Sequence, residues 1–136
     1  MKKILSSLIL SSLVVSSVSA MSEGEKIYDA KCLPCHTKTR PSDMSQVVAP
    51  AIPGVMRHVK MNFSNEADGL KFIRSYVMNP DEKKSICMPA KLKKFGLMPS
   101  QKGAITQAEL DIVSKWIYDN YPPKGFRGRG HGRGMR

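Results

Sequence analysis

Cys32-Leu33-Pro34-Cys35-His36 is the stretch from which the rest of the chain is read. Two cysteines three positions apart, followed directly by a histidine, form the pattern of a covalent haem attachment site. The spacing has a physical reason. On one helical turn both thiols reach the vinyl groups along one edge of a porphyrin, and the adjacent imidazole swings over the macrocycle face toward the iron. Two other readings compete for the same cysteines. A thioredoxin-like dithiol needs a βαβ setting, and no strand alternation of useful length occurs. A zinc site needs a second Cys-x-x-Cys or a spaced histidine pair, and neither is present.

The first twenty residues set the compartment. Lys2 and Lys3 precede an apolar, serine-rich stretch from Ile4 to Val18, and Val18-Ser19-Ala20 has the small residues of a cleavage site. That is the layout of a secretory signal peptide cleaved after Ala20. The apolar stretch falls short of the ~20 residues that span a bilayer. No cysteine follows it and no arginine pair precedes it, so lipoprotein anchoring and twin-arginine export are not indicated. The expectation is a bacterial periplasmic protein, the setting in which covalent haem is attached.

Removing the leader from the 136 residues leaves 116, enough for one small domain and a tail. Without Lys2 and Lys3 the 22 basic residues fall to 20, against 11 acidic ones. Lys124, Arg127, Arg129, Arg133 and Arg136 all follow Tyr121, with no acid among them. Such an excess argues for acidic partners or anionic surfaces. The expected organisation is a leader over 1–20, a domain over 21–121 and a disordered Arg/Gly-rich tail over 122–136, because alternating Arg and Gly can neither bury a core nor hold a helix.

Periodicity predicts three main helices. Ser22 with Glu25 three residues on is a capping-box pattern, and Ile27, Tyr28 and Ala30 follow it. A second helix is expected from about Asn65 to Met78, with Leu70, Ile73 and Val77 at helical spacing, ending at Asn79-Pro80. A third opens at Thr106 with Glu109 as capping partner, shows Leu110, Val113, Trp116 and Ile117 on one face, and ends before Pro122-Pro123. The segments from Thr37 to Phe63 and from Pro80 to Ala104 are read as long loops. Loops of that length are uncommon in a compact domain, and wrapping a bulky apolar prosthetic group accounts for them. The fold class expected is all-α.

An iron held by His36 needs a ligand on its other face. Two Met-Pro pairs lie in the second long loop, Met88-Pro89 and Met98-Pro99. A following proline fixes the extended backbone of the methionine before it. Met98, within Phe95-Gly96-Leu97-Met98-Pro99-Ser100 and shortly before the Thr106 cap, is the expected ligand, with Met88 as the fallback. Filling gaps in a core is the alternative use of both. His58 reads as a surface or propionate-contacting histidine, and His131 lies in the tail. Cys87 is the remaining thiol, either a small buried hydrophobe, an intermolecular disulfide partner or a ligand switch beside Met88.

From Ser22 to Tyr121 the chain resembles a class I c-type cytochrome. Cys32, Cys35 and His36 match the haem site and Met98 the distal ligand. Gly24 and Tyr28 resemble the small and aromatic residues of the N-terminal helix, and Val113 and Trp116 the pair on the C-terminal helix that crosses it. Ala49-Pro50-Ala51-Ile52-Pro53-Gly54-Val55 resembles the family's Gly-Pro-x-Leu-x-Gly segment, with Ala49 in place of the usual glycine. The resemblance implies that the Pro50 carbonyl accepts the ring N–H of His36. It also implies one covalent haem c, and one-electron transfer between redox proteins rather than enzymatic turnover. Lys91, Lys93 and Lys94 would steer acidic partners, and the tail would favour anionic membrane surfaces. Subunits of larger redox complexes, such as those oxidising sulfur compounds, and haem-based sensors are the alternative uses of such a domain. Nucleic acid is not an expected partner of an exported chain.

Overall fold

The computed structural model of the protein describes residues 21–128. Within them the regular structure is helical, apart from one isolated bridge between Lys102 and Ile105. Five helices follow one another: α1 (Glu23–Lys31), α2 (Ile52–Asn62), α3 (Glu66–Met78), α4 (Pro89–Phe95) and α5 (Gln107–Asn120), with a 3-10 turn at Glu82–Lys84. The all-α class is as expected. The 1–20 leader and residues 129–136 of the tail lie outside the described residues.

The three expected helices start where their caps are written. Thr106 and Glu109 complete a full capping box at α5, and the Asn65 side chain accepts from the Asp68 N–H at α3. At α1 the Ser22 hydroxyl accepts from the Glu25 N–H, but the Glu25 carboxylate turns to Lys38 at 2.9 Å instead of closing the box.

Two helices correct the long-loop reading. Each opens on a proline, Pro53 in the first turn of α2 and Pro89 in that of α4. Proline there loses no hydrogen bond and has a helical φ already set. Read as breakers, these prolines conceal starts. In α2 the stripe Ile52, Val55, Met56 and Val59 sits at helical spacing, and Ile52, Met56 and Val59 are buried.

The core is built on the crossing of α1 and α5. Gly24 permits it: a Cβ there would lie 2.4 Å from Cβ of Trp116, closer than any side chain allows. Tyr28, fully buried, stacks beside Trp116 with ring centroids 5.2 Å apart, and beside Tyr121 at 6.3 Å. α3 docks on the same α5 from another side. Arg74 holds Asp111 at 2.8 Å and donates to the buried Ser114 hydroxyl at 3.2 Å, and Lys115 reaches Glu66 at 3.1 Å. These half-exposed pairs add little net stability but fix the register between helices. Ile105, Leu110, Val113 and Ile117 complete the buried cluster.

Candidate functional site

The chain leaves α1 in a continued helical turn. Cys32 N–H bonds to the Tyr28 carbonyl at 2.8 Å, and the N–H groups of Cys35 and His36 both bond to the Cys32 carbonyl, at 3.1 and 2.8 Å. That winding brings both thiols and the imidazole to one apolar cavity of about 270 Å³. Its walls come from every helix, with Met56 and Val59 of α2, Phe72 and Val77 of α3, Leu92 and Phe95 of α4, and Leu110 and Val113 of α5.

His36 is held from two directions. Its Nδ1 lies 2.8 Å from the Pro50 carbonyl. A carbonyl only accepts, so Nδ1 carries the proton and Nε2 keeps a free lone pair. The bond implied by resemblance is therefore present in the geometry. A backbone bond from Ile52 N–H to the Thr37 carbonyl at 3.0 Å locks the Pro50 segment against the motif. Behind the ring, the Tyr28 hydroxyl donates to the His36 carbonyl. Burial pushes the imidazole below its ordinary pKa, and the Pro50 bond opposes this only in part. The ring is neutral at pH 7, the form that ligates a metal.

Burial, with Cys35 alongside, pushes the Cys32 thiol up to about 11. Redox-active dithiols work by the opposite shift, toward thiolate, so the environment argues against a thioredoxin-like use. Among the described residues no group of three or more His, Cys, Asp or Glu side chains converges as a protein-only metal centre would need.

Met98 lines the same cavity. Its loop is pinned beyond Pro99, where the Ser100 hydroxyl donates to the Met78 carbonyl at 2.6 Å and Gln101 N–H bonds to the Val77 carbonyl at 3.0 Å. The end of α3 thus fixes where Met98 can stand. Met88 is the N-cap residue of α4 and does not line the cavity, whereas its neighbour Cys87 does. The fold therefore brings together Cys32, Cys35, His36, Pro50 and Met98 and leaves out Met88. His58 sits on α2, away from the cavity, its carbonyl accepting from Asn62.

A flat apolar macrocycle with a metal at its centre fits these residues. Two thiols stand beside one imidazole with a free Nε2, a thioether lines the same space, and the remaining walls are mainly hydrocarbon.

Sequence reasoning did not anticipate two contributors. The α2 wall was legible as the stripe from Ile52 to Val59. The Tyr28 hydroxyl bond was not, because a buried tyrosine on a helix face reads as packing alone.

The comparisons with known proteins add a relative but no family. An uncharacterized protein of Aquifex aeolicus (strain VF5) is 29% identical over 135 aligned positions, which cover 89% of this chain and 89% of that one. No family model matches the chain. No solved structure matches it. The match runs along most of both chains rather than over one motif. Among the described residues no helix is long and apolar enough to cross a membrane.

Proposed function

We propose that the protein is a periplasmic monohaem c-type cytochrome of the class I fold, an electron carrier rather than an enzyme, with its mature chain beginning after Ala20. One observation carries the reading: Cys32, Cys35, His36 and Met98 line a single apolar cavity in which His36 already has its Nδ1 committed to Pro50. The α1–α5 crossing at Gly24 and Trp116 supports the finer fold assignment.

Cys32 and Cys35 would hold the haem covalently, and His36 Nε2 and the Met98 sulfur would ligate its iron. When bound, the haem supplies a one-electron ferric/ferrous couple. The chain's part is to keep that couple reversible. The Pro50 carbonyl holds the His36 ring in one tautomer and raises its basicity as a ligand. Ser100 and Gln101 tether the Met98 loop to the end of α3, and a thioether ligand there would raise the potential. The hydrocarbon walls from α2, α3 and α5 exclude water. Partners would be redox proteins with acidic docking surfaces, facing Lys91, Lys93 and Lys94 of α4 beside the cavity.

The test is chemical. Protein exported by a haem-ligating host should keep its haem through acid–acetone extraction and give a pyridine haemochrome with both vinyls saturated. Its ferric form should carry the far-red sulfur-to-iron band and titrate as a one-electron couple. Extractable haem, or none, overturns the reading.

A further inference from the structure

Where the chain leaves the Cys-x-x-Cys-His turn, His36, Thr37 and Lys38 are each fastened to another part of the fold. The His36 carbonyl accepts from the Tyr28 hydroxyl of α1, and the Thr37 carbonyl accepts from the Ile52 N–H at the start of α2 at 3.0 Å. Lys38 sends its ammonium back to α1, where it meets Glu25 at 2.9 Å and Asp29 at 2.6 Å. The same ammonium lies over the Tyr28 and Trp116 rings, 5.9 and 5.6 Å from their centroids. One side chain thus ties the exit of the motif to both helices of the α1–α5 crossing.

The site calls for a cation. Glu25 and Asp29 stand one turn apart on α1, and like charges at that spacing repel. Both carboxylates and Lys38 are partly buried, so their attraction is screened less than on an open surface. The faces of two aromatic rings add potential of the same sign. Among the described residues no other cation pairs with either carboxylate, and Lys31, on the same helix, is turned to Glu109 at 3.5 Å.

Lys38 does not line the cavity, so it acts on the site only through the backbone it anchors. The His36 ring bonds the Pro50 carbonyl at 2.8 Å. That bond survives only while the segment after the motif and the segment before α2 keep their relative placement. We infer that Lys38 is a positioning residue for the His36 imidazole, clamping the chain so that the Tyr28 hydroxyl and the Pro50 carbonyl both reach His36. That the imidazole so held ligates an iron rests on the proposed function; the clamp does not.

Hydrogen exchange of the His36 Nδ1–H in the reduced, full mature chain tests it, with the amide of buried Val113 in α5 as internal reference. Lys38→Gln should speed the ring exchange about fivefold, the scale of a partly buried ion-pair network lost from a local opening equilibrium, ahead of any change at Val113. Glu25→Gln with Asp29→Asn keeps the lysine but removes its anchors, and should speed the same exchange. These two variants change the net charge in opposite directions, so a shared acceleration marks lost grip rather than an altered field. Lys38→Arg, whose fork also spans two carboxylates, should return the rate close to wild type. Unchanged ring exchange in Lys38→Gln overturns the inference. So does acceleration in Lys38→Gln without any in the acid double variant, or equal acceleration at Val113, which would mark a general loss of stability. Covalent haem, scored on the same samples, tests the proposed function separately: its absence removes that reading and leaves the exchange comparison standing.

Discussion

The crossing of α1 and α5 and the flank from Pro80 to Met98 are built on different principles. At the crossing, protein closes on protein: Gly24 meets Trp116 backbone-close, Tyr28 is fully buried and Val113 nearly so. On the flank, neither the 3-10 turn nor α4 buries a single residue. Leu92, Phe95 and Lys91 line the cavity instead, with Lys91 and Lys94 covering the Phe95 ring at 5.6 and 5.1 Å. One region obtains its packing from the chain itself. The other packs along the cavity, and it carries Met98 into the lining.

That difference is most directly broken by small changes of size. Gly24→Ala should cost about 3 kcal/mol or more, because its Cβ meets the Cβ of a packed tryptophan and the helices must part. Ala90→Val, on the exposed side of α4, should stay within about 0.5 kcal/mol. Urea unfolding of both variants is the measurement, and equal losses would erase the distinction.

On the proposed reading, the flank carries the second iron ligand. Met98→Ala should abolish the far-red band and lower the potential by on the order of a tenth of a volt or more, within the ~0.8 V that axial ligands span. Met88→Ala should leave both, since Met88 caps α4 outside the cavity. A spectrum and redox titration of the two variants decide it, and loss of the band from Met88→Ala alone would reverse the assignment.

The smallest effect joins the two regions. Tyr28→Phe keeps the ring between Trp116 and Tyr121 but removes the hydroxyl that donates to the His36 carbonyl. A loss of about 1 kcal/mol is expected from the unpaired acceptor, with the Met98 band retained. The His36 ring Nδ1–H resonance in the reduced protein should shift as its backbone loosens. An unmoved resonance would make Tyr28 a packing residue only.

Local signals marked the ends of three helices. Thr106 with Glu109, Asn65 before α3, and Ser22 before α1 are side-chain acceptors for N–H groups only a few residues on, so no distant part of the chain is needed to read them. The same locality misled at α2 and α4. Pro53-Gly54 and Pro89 look like interruptions until the turn they begin is seen, and the apolar stripe behind Pro53 was outweighed by that punctuation. The site divides the same way. Cys32, Cys35 and His36 are held by i to i+3 and i+4 bonds and could be read directly. Met98 and Met88 are both followed by proline, and the context before the Thr106 cap favoured Met98, but the contacts that place either one lie far along the chain.

The sequence by itself determined the all-α class, three helix starts, the Cys-x-x-Cys-His turn that continues α1 and the basic character of the chain. Each of these depends on residue type and short spacing. Only the tertiary structure shows that Met98 lines the cavity and Met88 does not, because the end of α3 tethers the loop that carries Met98. It also sets Gly128 beside Arg57. Both facts follow from packing α2, α3 and α5 around one cavity, and contacts between distant residues are set by that packing rather than by any pattern along the chain.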